Sequence, residues 1–170
     1  GSFSGCNGFN GQLKMSKYIE VIGKNAFSNC NKFIGNLIIP QSMKTINKET
    51  FYNCHGFNGF LKIPNSIIFI ENSAFSGCSG FIGPLELPNS IKIIGHSAFA
   101  YCFGFNGSLI LSNTLTIIED FSFCGCNNFT GDLKIPKNII KIGNYAFTNC
   151  SKFTGSLIIP NSVSIIGNYS

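Results

Sequence analysis

The chain has 170 residues, 44% of them hydrophobic, including 18 Phe and eight Cys. That suffices for the core of one domain, and no apolar run reaches the ~18 residues of a membrane span. The net charge of +5 comes from twelve Lys against seven acids, with no Arg. Lacking the side chain that makes bidentate base and phosphate contacts, the chain reads against nucleic acid as a partner.

Gly1 and Ser2 read as a scar of tag cleavage and stand outside the fold. From 3 to 170 the chain is seven tandem units, marked by cysteines 24 residues apart: Cys6, Cys30, Cys54, Cys78, Cys102, Cys126 and Cys150. A fixed period of this size signals a solenoid whose units stack on one another. The expected class is a repeat solenoid like the leucine-rich repeats: right-handed 24-residue coils, parallel β-sheets and short helical or 3-10 turns. With no polar cap at either end, the block reads as a fragment of a longer array. Its exposed Phe and Ile columns should drive end-to-end self-association.

Within each unit, positions are counted from the cysteine. Phe stands at +3 (Phe9 through Phe153), Gly at +5 and Leu at +7 (Leu13 through Leu157). In the fifth unit, Gly107–Leu111 alternates inward Leu109 and Leu111 with outward Ser108 and Ile110, the period of a half-buried strand. Pro at +10 in five units ends that strand, because it cannot donate a ladder hydrogen bond. The Asn-Ser pair that often follows favours a turn. A second extended piece, +13 to +16, turns its two aliphatic residues inward, and Gly at +17 suits a corner with positive φ. The remaining stretch, such as Asn144–Cys150, reads as one helical or 3-10 turn that drops Ala, Phe and Cys into the core.

One thiol per coil at constant register makes an inward column of free cysteines rather than a disulfide framework. Cys124 lies two residues before that column, where other units carry Ser, Tyr, Ala or Thr. It is expected to be partly exposed, either as an ordinary turn residue or as a reactive thiol.

The unit C-x-x-F-x-G-x-L-x-I-P-x-S-I-x-x-I-G-x-x-A-F resembles the BspA-like leucine-rich repeat family, also called the Treponema pallidum type. The third and fourth units, GFNGFLKIPNSIIFIENSAFSGC and GFIGPLELPNSIKIIGHSAFAYC, carry the likeness best. These units are one residue longer than most in that family, and Phe replaces the usual Leu at +3. The resemblance implies a cell-surface or secreted protein of a bacterium or parasitic protist. It also implies adhesion to a host matrix or cell-surface protein, with no enzymatic activity and no cofactor. The same solenoid could equally serve an intracellular scaffold or adaptor, since free thiols suit a reducing compartment.

Positions that vary against a constant scaffold are those packing does not dictate. The outward column at +8 reads Lys14, Ile38, Lys62, Glu86, Ile110, Lys134 and Ile158, with Phe60 beside it at +6. An apolar face dotted with charge on a concave solenoid surface is the candidate partner-binding face. The alternative is that these β-branched residues only support strand pairing. Of the sequons at Asn106, Asn128, Asn149 and Asn168, the first two are candidate glycosylation sites if the protein is secreted.

The residues give catalysis little to work with. The seven acids scatter over registers; only Glu71 and Glu119 share +17, two coils apart, where they read as solvated corner residues. His55 and His96 lie on different coils without a third ligand, so neither a zinc site nor a Cys–His pair is expected. No phosphate-binding glycine loop opens a helix.

Overall fold

A computed structural model describes residues 1–170. Ten two-residue strands follow in order: β1 (Leu37–Ile38), β2 (Thr45–Ile46), β3 (Leu61–Lys62), β4 (Phe69–Ile70), β5 (Leu85–Glu86), β6 (Ile93–Ile94), β7 (Leu109–Ile110), β8 (Ile117–Ile118), β9 (Lys141–Ile142) and β10 (Ile165–Ile166). Every pairing is parallel and joins residues 24 apart, as Leu37 with Leu61, Ile70 with Ile94 and Leu85 with Leu109. The chain is therefore a parallel-strand solenoid whose coils are the sequence units. Equivalent side chains lie on neighbouring rungs.

The core is built in columns. Phe51, Phe57, Phe75, Phe81, Phe99, Phe105, Phe123 and Phe129 are all fully buried. Rings of one column stack nearly parallel, with centroids 5.5 Å apart for Phe51–Phe75, 5.2 Å for Phe75–Phe99 and 5.6 Å for Phe99–Phe123. These separations lie within the range of offset aromatic stacking. Leu, Ile, Ala and Cys columns complete one continuous core.

The strands are shorter than the sequence suggests, and the turn after +10 behaves as expected. The N–H at +13 donates to the +10 carbonyl, as from Ile67 to Pro64 and from Ile91 to Pro88. In the second strand, Ile91 and Ile94 both point inward although three residues apart. Strict alternation cannot do that, so the strand carries a bulge-like irregularity: the N–H groups of Ile68 and Phe69 both donate to the Lys44 carbonyl.

Two expectations are corrected. The segment before each cysteine contains no helix or 3-10 element. Its alternate N–H groups close separate turns, Ala26 to Gly23, Ser28 to Asn25 and Cys30 to Phe27. Those between them, Asn25, Phe27 and Asn29, donate to the next coil's Lys48, Thr50 and Tyr52. A helix would keep all these donors within the segment; here half of them stitch coil to coil. Gly at +17 is likewise not a positive-φ residue. Positive φ falls at +19 and at the residue before the cysteine, on Asn25, Ser73, Phe121, Asn53 and Tyr101 among others.

The +17 glycines answer to crowding instead. Asn72 Oδ1 accepts the His96 N–H at 3.0 Å and Asp120 Oδ1 accepts the Asn144 N–H at 2.8 Å. A Cβ on Gly95 or Gly143 would overlap those oxygens. Gly at +17 therefore follows each coil with Asn or Asp at +18, whereas Asn47, Glu71 and Glu119 follow Lys24, Lys48 and His96.

The first sheet is not continuous. β1 pairs with β3 and β5 with β7, but β3 does not pair with β5. The paired junctions are those whose upper coil carries Asn at +4: Asn58 Oδ1 accepts the Gly35 N–H, and Asn106 Oδ1 accepts the Gly83 N–H, each at 2.8 Å. Where +4 is Ile34, Ile82 or Thr130, no side chain accepts from the +5 glycine N–H of the coil below, and no two-residue strand pairing forms there. The +4 N–H itself donates to that glycine's carbonyl at both kinds of junction, as from Ile82 to Gly59 and from Asn106 to Gly83.

Candidate protein-binding faces

The structure places Lys14, Ile38, Phe60, Lys62, Glu86, Ile110, Lys134 and Ile158 all on the surface. On the first sheet Ile38 lies opposite Lys62, Glu86 opposite Ile110 and Lys134 opposite Ile158. Apolar and charged side chains are thus interspersed along one column, each pair placing an Ile opposite a charge. Phe60 is only partly free, because its ring lies over the α-carbon of Gly83 on the next coil. Between the fifth and sixth coils, a cleft of about 520 Å³ opens beside Ile110, Asp132, Lys134 and Lys137. The eight residues share a face, but breaks in strand pairing interrupt it.

Sequence reasoning missed a second outward column, at +15 on the other sheet. Val21, Phe69, Ile93, Ile117 and Ile165 are exposed there, with Phe69 opposite Ile93. The signal was available: two inward aliphatics spaced by three force both residues between them outward.

The thiols form the expected column, and all eight cysteines are free. From Cys30 to Cys150 each thiol of the column donates to a phenylalanine carbonyl one rung away, Cys54 to Phe27 and Cys78 to Phe51 at 2.9 Å, Cys102 to Phe75 at 3.0 Å. Burial pushes Cys54 and Cys150 up to about 12 and Cys78, Cys102 and Cys126 well above the usual thiol range. Such thiols are poor nucleophiles. Cys124 departs from expectation: it is buried, and desolvation raises its pKa too. Its side chain fills space beneath the turn, where Ala100 is buried one coil earlier.

The polar residues serve the scaffold. Glu71 is half-buried and accepts the Lys48 N–H at 2.9 Å, so it caps a corner rather than lying free in solvent. Asp120 holds Asn144 through both carboxylate oxygens, and those hydrogen bonds lower its pKa. His96 packs edge-on against Phe121. Among the sequons, Asn128 Nδ2 donates to the Phe103 carbonyl at 2.7 Å, so a glycan there would have to share that nitrogen with the bond. Asn106 spends only its oxygen, on Gly83.

A family model described as the BspA type leucine rich repeat region matches six copies over residues 1–106 and 94–170. The chain belongs to that family. Solved structures share the fold of this BspA-type array. A leucine-rich repeat protein from Bacteroides ovatus superposes with a TM-score of 0.75 at 24% identity, over 96% of this chain and 46% of that one. A leucine rich cell surface protein from Faecalibacterium prausnitzii gives 0.63 at 25% identity, over 85% and 35%. The chain thus spans less than half the length of either. A search among curated proteins finds no match. Repeats of this kind commonly serve as scaffolds for protein interaction.

Proposed function

We propose that this array is a non-enzymatic protein-binding module of a secreted or cell-surface adhesion protein. Its partner is a host matrix or cell-surface protein, engaged through the outward face of the first sheet. The observation that carries the reading is the +8 column: exposed Ile38, Ile110 and Ile158 are interspersed with Lys62, Glu86 and Lys134 on a scaffold whose inward positions scarcely change. Contact energy is concentrated in apolar anchors, and surrounding charge sets specificity. The description of the Faecalibacterium relative as a cell surface protein supports the location.

An affinity screen of the chain against purified matrix proteins tests the reading. Phe60→Ser with Lys62→Glu is expected to weaken a genuine first-sheet contact at least tenfold. Unchanged affinity would move the contact to another face. An intracellular adaptor is the second reading, favoured by eight free cysteines; a secretion signal in the full-length protein would decide against it. At the ends of the stack, Phe3, Phe9, Ile165 and Ile166 are exposed. We extend the proposal to end-to-end association at high concentration, which sedimentation velocity measures.

A further inference from the structure

The second sheet presents a separate surface that the proposal above does not use. Phe69 and Ile93, on adjacent rungs of β4 and β6, form the apolar floor of a cleft of about 420 Å³. Lys24 and Lys48 stand at its side, one coil apart. Lys44 and Lys92 are exposed at +14, on the opposite side of the +15 column.

The charges around this floor are unequal in freedom. Of the nearby acids, Glu71 is bound to the Lys48 N–H and Glu49 lies 3.5 Å from the Lys48 ammonium. Glu20, beside Lys44 on the first coil, is the exposed one. Lys24, Lys44 and Lys92 have no carboxylate partner. The apolar strip is narrow: on its +14 side stand Glu20, Lys44, half-buried Ile68 and Lys92, and on its other side Asn47, Glu71 and the lysines at +18. That width suits an extended chain rather than a bilayer, which needs a broad apolar face.

We infer that the second sheet, over the first four coils, binds an extended acidic peptide segment. Its apolar side chain rests between Phe69 and Ile93, and flanking carboxylates meet Lys24 on one side and Lys44 and Lys92 on the other. The free ammonium groups supply the charge complementarity and the floor supplies the apolar anchor. This site is independent of the first-sheet reading.

Fluorescence anisotropy with a labelled nonapeptide of alternating Glu and Leu tests it on the whole chain. Saturable binding is expected, weakened at least tenfold by Lys24→Glu with Lys92→Glu and again by Ile93→Asn. Rising salt should weaken it as well. Alternating Lys–Leu and Glu–Ser peptides should bind at least tenfold more weakly. Ile93→Thr keeps β-branching on an exposed strand position, so it separates loss of the anchor from loss of the fold. Ile38→Asn on the first sheet should change nothing, which distinguishes failure of this inference from failure of the proposal above. Absence of saturable binding would overturn the inference. So would equal binding by the Ile93→Thr variant, or binding to phosphatidylserine vesicles that the Glu–Leu peptide does not displace.

Discussion

The turn segment and the strands hold successive coils together in different ways. In the turns, three backbone hydrogen bonds join the coils at each of five successive junctions, from Asn25 to Thr148, without interruption. In the strands, pairing fails between β3 and β5 on one sheet and between β6 and β8 on the other. The segment that looks least regular in sequence is thus the spine. The strands are free to diverge at their outward positions, where both candidate binding faces lie. Backbone groups taken from water must be paired somewhere, and here the turns take the larger share.

The thiols beneath the turns offer the strongest way to break the spine. They hold protons more tightly in the folded state than unfolded, so their stabilisation is complete below the ordinary thiol value near 9.0. It is lost as pH rises from there toward the folded-state values, about 12 for Cys54 and Cys150. Above the lower limit each buried thiol costs about 1.4 kcal/mol per pH unit. Five of them exhaust the stability of an ordinary domain within roughly two units. Unfolding followed by circular dichroism should therefore be steep and alkaline; a protein still folded at pH 12 would contradict the buried column.

Next in size is Phe75→Ala, in the middle of the stacked rings, with an expected loss of about 3–5 kcal/mol by urea denaturation. A loss below about 1 kcal/mol would mean that the rings do not carry the core. Asn106→Ala removes the acceptor for the Gly83 N–H and should cost about 1 kcal/mol. Hydrogen exchange at Leu85 and Leu87 should accelerate, while Phe75 and Phe99 in the turns stay protected. If the turn amides open equally, the two regions are not separable. The smallest effect belongs to Ile93→Thr, an outward substitution expected to stay within about 0.5 kcal/mol.

Much of this architecture was legible in one sequence because stacking repeats every packing constraint once per coil. The Cys, Phe, Leu and Ile columns announced both the rung spacing and the inward faces. The helical turn was misjudged because Ala, Phe and Cys at +20, +21 and +24 suit any compact turn. What distinguishes the two cases is where N–H groups such as that of Phe27 point, and side-chain pattern does not record it. The +17 glycines were assigned a φ requirement when the cause lay one coil below, in Asn72 and Asp120. Periodicity within a unit reveals burial; only correlation between units reveals such neighbours. The +15 column was missed for a related reason, since attention to strand alternation favoured +8 and passed over the bulge at Ile68 and Phe69.

Asn58 and Asn106 at +4, alternating with Ile34 and Ile82, bear on how such an array can grow or shrink. Excising residues 54–101, two coils, would bring Asn106 above Gly35 and return an acceptor to its N–H. Excising 54–77 alone would set Ile82 there and remove that side-chain acceptor. Length changes in this part of the chain should therefore be tolerated in steps of 48 residues sooner than in steps of 24.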